Sequence, residues 1–203
     1  MQVVAFFGTK GGTGKSTLSH LLAYGASLHA VPALVVHTDA RAPEIHQGRP
    51  YHYFDGRDPE RLYAVLERAK APDQPGVCVL DGGGNRPGVA AVLAKAADLV
   101  LIPCGIGGQD APLALVDLAQ LPEAWIVVNR FPMVPKHPRR AKADAYLAQL
   151  PRARILCRLG ESAAADRFTE SDREPWTTPS TRVSNAARAL YGKIAARLRP
   201  VDG

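Results

Sequence analysis

A glycine-rich segment near the N-terminus carries the residues best suited to chemistry: residues 9–17 read Thr-Lys-Gly-Gly-Thr-Gly-Lys-Ser-Thr. The spacing is that of a phosphate-binding loop, Gly-x-x-x-x-Gly-Lys-Ser/Thr, with Thr9 at the first glycine position. Glycines let backbone N–H groups close around phosphate oxygens, Lys15 can reach the β- and γ-phosphates, and Ser16 can place its hydroxyl on Mg²⁺. The segment therefore predicts a nucleotide site formed by Lys10, Gly11, Gly12, Thr13, Gly14, Lys15, Ser16 and Thr17.

A second lysine, Lys10, lies five residues before Lys15 and is no part of the plain loop pattern. The alternative interpretation of the segment is an ordinary turn rich in glycine and lysine. The flanking sequence argues against that turn, because residues 2–7 form an apolar run typical of a buried strand and residues 16–29 carry leucines at helical spacing. Strand, loop and helix follow one another as a phosphate-binding loop requires.

Strand-like apolar runs recur along the chain and alternate with helical patterns. Besides residues 2–7, the runs are residues 33–37, 77–80, 99–104, 124–128 and 154–157. Between most of them, apolar residues recur at three- and four-residue spacing, as in helices that bury one face. This alternation predicts an α/β fold: a doubly wound, mostly parallel sheet with helices on both faces, in a single domain over residues 1–203.

Composition narrows the class of protein further. There is no stretch of eighteen apolar residues and no secretory signal, so a cytoplasmic location is expected. The three cysteines lie in apolar runs without a CxxC pair, and reduced core thiols are expected at Cys78, Cys104 and Cys157. Two long irregular segments, residues 40–59 and 161–181, are predicted to be switch and contact regions, because long loops in compact domains are commonly functional.

Polar residues follow the strand-like runs, and in an open α/β sheet ligands bind at the carboxyl ends of the strands. Asp81 closes the run Val-Cys-Val-Leu, which is the position of an acid that supports Mg²⁺ through water. A helix cap or a turn residue is the alternative for Asp81. The glycines that follow it would let this loop move with the γ-phosphate.

Asn129 and Arg130 follow the run at residues 124–128, and we expect them to contact the nucleotide. An asparagine at this place can bond a purine edge. The guanine-specific pattern Asn-Lys-x-Asp would need an acid where the chain has Pro132, so adenine is favoured over guanine. A purely structural asparagine at the strand end is the alternative.

Positive charge is concentrated in the C-terminal half of the chain. The net charge is +6, and Arg130 to Arg158 holds eight Lys or Arg residues and one acid, Asp144. Such a surplus indicates a surface for a polyanion, with a solvated helix face as the alternative. The predicted DNA-binding residues are Arg139, Arg140, Lys142, Arg188, Lys193 and Arg197.

With these motifs in place, the chain resembles the ParA/MinD family of deviant Walker ATPases, and within it the small ParF-like partition ATPases. The resemblance extends over nearly the whole chain and is carried above all by the lysine pair. The other matching segments are Asp39, residues 79–84, residues 96–103, Asp110 and residues 128–130.

The resemblance implies a role for several positions. Lys10 would reach across an ATP-sandwiched homodimer to the phosphates of the other subunit, while Lys15 and Ser16 serve their own subunit. Asp39 would be the first switch acid, which helps to hold Mg²⁺ and the attacking water, and Asp81 would begin the second switch. The implied catalytic residues are Lys10, Lys15 and Asp39, and the implied metal ligands are Ser16, Asp39 and Asp81.

The chain departs from the family pattern in three places. Relatives usually read Asp-x-Asp-Pro-Gln where residues 37–41 read His-Thr-Asp-Ala-Arg, a change that bears on hydrolysis rate and switch coupling. Residues 104–109 read Cys-Gly-Ile-Gly-Gly-Gln in place of a turn rich in proline and serine. The amphipathic C-terminal segment of MinD-type proteins is not found, so no membrane partner is expected.

Three functions are compatible with these observations. The leading one is a cytoplasmic, nucleoid-associated ATPase that dimerises on ATP, binds DNA non-specifically and partitions or positions a plasmid, chromosome or other cargo. Its hydrolysis would be slow and stimulated by a ParB/ParG-like adaptor, with ATP and Mg²⁺ as ligands. The alternatives are a metabolic P-loop enzyme similar to dethiobiotin synthetase, and a membrane-positioning ATPase of the MinD type.

Overall fold

A seven-stranded sheet forms the centre of the computed structural model, which describes residues 1–40, 48–82, 93–161 and 176–198. Every strand pairing within it is parallel, and the strand order is β3-β2-β4-β1-β5-β6-β7. The strands are β1 (Gln2–Phe6), β2 (Ala33–His37), β3 (His52–Asp55), β4 (Val77–Asp81), β5 (Leu99–Cys104), β6 (Trp125–Phe131) and β7 (Ile155–Gly160).

Helices connect most of the strands. They are α1 (Lys15–Ser27), α2 (Pro59–Lys70), α3 (Asp110–Gln120), α4 (Arg140–Leu147) and α5 (Thr181–Ala195), with a short 3-10 helix at Arg152–Arg154. Local sequence explains the start of α2, where the Asp58 side chain accepts a hydrogen bond from the Arg61 N–H and Pro59 occupies the first turn. Residues 93–96 are also helical.

The two faces of the sheet are covered by different helices, because alternate strand residues point to opposite sides. Helices α1 and α5 pack on the face that includes Val4, Phe6 and Val127. Helix α2 packs on the other face against β1, β2 and β4, and α3 and α4 pack there against β5 and β6. The prediction of a doubly wound α/β sheet with helices on both faces is therefore confirmed.

Some details of the sequence prediction are wrong. Residues 40–59 were expected to be irregular, but β3 lies within them at the edge of the sheet and pairs with β2. The run predicted at residues 124–128 continues to Phe131, so Asn129 and Arg130 lie inside β6 and not after it. Apolar residues at Val89, Val92, Leu93 and Ala96 predict a helix, of which only residues 93–96 are described. The glycines after Gly82, Arg41, and residues 162–175 of the second irregular segment also lie outside the described residues.

The three thiols are free, and burial raises their pKa: to about 12 for Cys78 and Cys104, and to about 11 for Cys157. They are therefore protonated and unreactive at neutral pH, as expected of core residues. Within the described part of the chain, no helix has the length and apolar character needed to cross a membrane.

Candidate nucleotide site

The glycine-rich loop joins β1, the central strand, to the N-terminus of α1. Gly12 and Gly14 have φ angles of 75° and 99°, a conformation that strains residues with a side chain. Gly14 is also the N-cap of α1, and the first turn of this helix has neither a capping side chain nor an acidic residue among the described residues. The first N–H groups of α1 are thus arranged to bind an anion, as a phosphate-binding loop requires.

Lys15 is folded back into its own loop. Its Nζ donates a hydrogen bond to the Lys10 carbonyl oxygen at 2.8 Å. Burial lowers the pKa of Lys15, and the carboxylates of Asp81, Asp117 and Asp39 oppose this by raising it. The loop therefore holds a partly buried ammonium group that is influenced by the charges of acidic residues from three other parts of the chain.

Two of these acids come from neighbouring strands. Asp81 ends β4 and is 2 % exposed. Thr38, the residue before Asp39, donates from its N–H and its hydroxyl to the Asp81 carbonyl oxygen at 3.1 and 2.9 Å. The end of β2 is therefore fastened to the end of β4, and this contact brings the two predicted switch acids into one region.

His37 stands where relatives usually have the first acid of the switch motif. Its Nδ1 lies 3.8 Å from Asp81 Oδ2. The departure from the family pattern thus places an imidazole beside Asp81, where a second carboxylate would repel it.

The predicted metal ligands are a hydroxyl and two carboxylates, at Ser16, Asp39 and Asp81. These are the hard oxygen donors that Mg²⁺ prefers, and Mg²⁺ in nucleotide sites takes its other ligands from phosphates and water. No group of three or more His, Cys, Asp or Glu residues in the described ranges forms a metal site of its own. The donor set fits an ion that arrives with a nucleotide, and the three assignments stay predictions.

Lys10 points away from the loop toward α3. Its ammonium pairs with the carboxylate of Asp110, the first residue of that helix, and the lysine side chain remains 34 % exposed. Asp110 also accepts a hydrogen bond from the Gly107 N–H at 2.6 Å. The two loop lysines therefore have separate partners, one within the loop and one on a different element.

The glycine-rich segment before α3 explains how Asp110 fits there. A Cβ atom at Gly105 or Gly107 would lie 2.4 or 2.9 Å from Asp110 Oδ2, which is too close for any side chain. Gly105 and Gly107 thus leave room for the carboxylate that pairs with Lys10.

A second carboxylate of α3, Asp117, also contacts the loop. Both of its oxygens accept from the Thr9 N–H, at 3.1 and 3.3 Å, and the residue is 5 % exposed. Sequence reasoning missed it, because an aspartate within an apolar helical stripe carries no motif. The one local indication of its role is that it lies seven residues after Asp110, about two helical turns, and so on the same side of the helix.

Asn129 holds the middle of the loop. It is buried in β6, and its Nδ2 donates to the Thr13 carbonyl oxygen at 3.0 Å, while its Oδ1 accepts from the Arg130 N–H at 2.9 Å. The same amide packs so closely on Gly14 that a Cβ there would lie 2.2 Å from Nδ2. Arg130 is exposed, with a φ of 58°. A purine contact by these two residues stays a prediction.

The predicted DNA-binding residues form two groups. Helices α4 and α5 cover opposite faces of the sheet, so their basic residues form separate patches. The α4 patch consists of Arg139, Arg140 and Lys142, and the α5 patch consists of Arg188, Lys193 and Arg197.

Much of the charge of the α4 patch is engaged within the protein. Arg140 lies over the Phe131 ring at 4.6 Å, with Arg158 over the same ring at 4.9 Å. Both guanidinium groups pair with Asp144, at 2.7 Å for Arg140 and 3.4 Å for Arg158. Arg139 lies 3.9 Å from Glu161, so this patch is partly neutralised.

The basic side chains of the α5 patch are more accessible to a ligand than those of the α4 patch. Arg188 and Lys193 are exposed and make no ion pair with another described residue. Arg197 stacks on the Trp125 ring at 3.8 Å, which fixes its position while leaving its charge without a carboxylate partner among the described residues. The two patches therefore differ in net charge although their basic residues are equal in number.

The chain is similar to known proteins in its structure but matches no sequence family. No protein-family model matches the chain, and no curated protein sequence does. Among solved structures, a MinD cell division protein from Aquifex aeolicus is similar with a TM-score of 0.72 at 17% identity, covering 100% of both chains.

Two further solved structures are also similar to this chain. A MinD from Pyrococcus horikoshii, complexed with Mg-ADP, gives a TM-score of 0.62 at 12% identity, covering 98% of this chain and 99% of the other. A ParA family ATPase from Chlorobium tepidum gives 0.64 at 12% identity, covering 94% and 98%. The resemblance drawn from the lysine pair is confirmed at the level of the fold: the chain has the fold of the ParA/MinD-type P-loop ATPases.

Proposed function

We propose that this protein is an ATPase that dimerises on ATP, binds DNA non-specifically and partitions or positions a cargo on the nucleoid. The proposal rests on one observation: the two lysines of the loop have different partners. The Lys15 ammonium donates to a carbonyl oxygen of its own loop, whereas the Lys10 ammonium reaches out of the loop to Asp110 on α3 and its side chain remains 34 % exposed. A single-subunit phosphate site already has its lysine in Lys15, so the second lysine is explained by a second subunit.

The described residues supply the parts needed for phosphoryl transfer. Lys15 and the N–H groups at the start of α1 bind the phosphates, and Ser16, Asp39 and Asp81 would hold Mg²⁺ beside them. When bound, Mg²⁺ neutralises charge on the β- and γ-phosphate oxygens. Asp39, at the end of β2, orients the attacking water, and Lys10 of the partner subunit stabilises charge in the transition state.

Dimerisation requires Lys10 to change partners. Its ammonium pairs with Asp110 of its own chain in this structure, so it must leave that carboxylate before it can reach the phosphates of a second subunit. A γ-phosphate with more negative charge than one carboxylate offers a stronger partner. ATP would thereby favour the dimer, and hydrolysis would return Lys10 to Asp110.

DNA binding is proposed for the basic residues of the C-terminal half, with the α5 patch as the main contact. Its cations are exposed and unneutralised by described carboxylates. Dimerisation doubles the number of contacts and so couples ATP to DNA affinity. A ParB/ParG-like adaptor would stimulate hydrolysis, in the cytoplasm, where the nucleoid lies.

The test is sedimentation of the parent and of Lys10→Ala with a non-hydrolysable ATP analogue. The parent is expected to form a dimer and the variant to remain a monomer that still binds nucleotide. Lys70→Ala, an exposed lysine on α2, is the matched control and should dimerise like the parent. A variant that dimerises as well as the parent would refute the sandwich and shift weight to a metabolic P-loop enzyme.

A further inference from the structure

Asp117 is a buried carboxylate that no motif accounts for. It lies in the last half of α3, 5 % exposed, with both oxygens directed at the Thr9 N–H. Its Oδ2 also lies against Gly8, 3.4 Å from the position of a Cβ atom on that residue. The contact is made at the first residue of the phosphate-loop pattern, where this chain has threonine in place of glycine.

A buried charge normally costs stability unless it is compensated. Asp117 accepts a hydrogen bond from the Thr9 N–H, and its charge partly opposes the lowering of the Lys15 pKa by burial. An apolar residue would cost less at this place in an otherwise apolar helical stripe, where Ala111 and Ala114 pack into the core. The carboxylate is therefore better explained by what it does to the loop than by what it adds to the fold.

Helix α3 contacts the loop at two points. Asp110 and Asp117 are seven residues apart, about two turns, and so share one face of the helix. Asp110 holds a side chain, that of Lys10, while Asp117 holds the backbone one residue earlier. From the opposite direction Asn129 holds the Thr13 carbonyl oxygen. The backbone of the loop is thus fixed on both sides of Gly11 and Gly12.

We propose that Asp117 is a positioning residue for nucleotide binding: by accepting the Thr9 N–H it fixes the start of the phosphate loop, so that the loop's N–H groups are arranged before phosphate arrives. This inference rests on the proposed function. Fixing a loop in its bound conformation raises affinity, because less freedom is lost on binding. Asp117 touches no reacting atom, so its effect falls on nucleotide affinity and not on the chemical step.

The test compares the parent with three variants for affinity toward a fluorescent ADP analogue. Asp117→Leu removes the acceptor while keeping the branched shape of the side chain, and Asp117→Asn keeps one side-chain oxygen for the Thr9 N–H while removing the negative charge. Val116→Ala, an exposed neighbour on α3, is the control. Asp117→Ser, too short to reach Thr9, replaces the leucine variant should that variant fail to fold, and each protein's melting temperature is measured with and without ADP.

The expected result is a loss of ADP affinity of about tenfold in Asp117→Leu, since a lost hydrogen bond to a charged group has roughly this effect. Asp117→Asn and Val116→Ala should stay within about threefold of the parent, and kcat at saturating ATP should be unchanged within about twofold in all variants. Rescue by asparagine together with a change confined to affinity and KM would not follow from a merely structural role.

Three results would overturn the inference. Asp117→Leu could bind ADP as tightly as the parent, or Asp117→Asn could lose as much affinity as the leucine variant, or kcat alone could fall. Each of these leaves the proposed function standing, because the parent still binds nucleotide. A parent protein that binds no ADP would instead refute both proposals.

Discussion

The nucleotide site and the basic surface are both built from charged residues, yet they are organised in opposite ways. At the nucleotide site, charges from distant parts of the chain act on one another: Lys10 pairs with Asp110, and Asp39, Asp81 and Asp117 oppose the lowering of the Lys15 pKa by burial. On the basic surface, cations are distributed over opposite faces of the sheet or neutralised by nearby carboxylates. The fold therefore brings opposite charges together at the nucleotide site, whereas it separates or neutralises the cations of the basic surface.

This contrast separates two kinds of sequence signal. A motif with fixed spacing describes a local backbone shape, and parallel strands then carry the residues at their carboxyl ends to the same edge of the sheet. A surplus of basic residues describes only a count, because helix faces and nearby carboxylates decide which cations reach solvent. We therefore expect substitutions at the nucleotide site to have large and specific effects, and those on the basic surface to depend strongly on the patch.

The largest effect is expected at Gly14, which has a positive φ angle and also packs closely against a side chain. Gly14→Ala places a Cβ at a φ of 99° and 2.2 Å from Asn129 Nδ2. Strain of up to about 3 kcal/mol corresponds to roughly a hundredfold loss of nucleotide affinity. Isothermal titration with ADP measures the loss.

Gly192→Ala is the control for that experiment, because a Cβ at this position of α5 meets nothing within 4 Å. It should bind ADP normally and be more stable by about 0.5–1 kcal/mol, as expected for alanine in a helix interior. Equal ADP affinity in Gly14→Ala and the parent would show that the loop does not need the conformation seen here.

A second, smaller effect tests the two basic patches against each other. Arg188→Glu/Lys193→Glu should weaken ATP-dependent retention on arbitrary-sequence duplex DNA by about tenfold at low salt and reduce the salt dependence by roughly two phosphate contacts. Arg139→Glu/Lys142→Glu should have less effect, since the α4 patch is partly neutralised by Asp144 and Glu161.

The second variant keeps Arg140, because this residue stacks on Phe131 and its loss would disturb packing. The two variants carry the same change in charge, so any difference between them reports position and not net charge. A stronger loss from the α4 variant would reverse the assignment of the DNA face, and no ATP-dependent retention by the parent would remove DNA from the proposed function.

The sequence predicted the regions of this molecule unevenly, for physical reasons. Long apolar runs such as Leu99–Cys104 identified the central strands, because strands covered on both faces must be apolar throughout. The edge strand His52–Asp55 escaped prediction, because it is only partly buried and short. Central strands are thus visible in a sequence, whereas edge strands are defined by pairing.

Local sequence was also informative for some residues of the candidate site and silent for others. The loop residues follow from their spacing, and Asp81 from its place at the end of an apolar run. Asp117 could not be predicted, because its role depends on α3 packing beside the start of the loop, a contact between residues 108 positions apart. The role of Gly105 and Gly107 was also hidden, since close approach to a carboxylate leaves no local pattern.

The smallest expected effect concerns the ion pair between Lys10 and Asp110, where the two lysine environments differ most directly. Asp110→Asn keeps an acceptor for the Gly107 N–H but removes the charge that holds Lys10 within its own subunit. A partly exposed pair contributes about 1 kcal/mol, so the variant should dimerise at roughly fivefold lower concentration of a non-hydrolysable ATP analogue.

Asp73→Asn, which changes an exposed acid near Arg68, is the matched control and should not shift the midpoint of this titration. Sedimentation across an analogue titration measures both, and because the pair is screened by salt, the shift should shrink as ionic strength rises. A variant that needs more analogue than the parent would mean that Asp110 presents Lys10 to the partner subunit and does not restrain it.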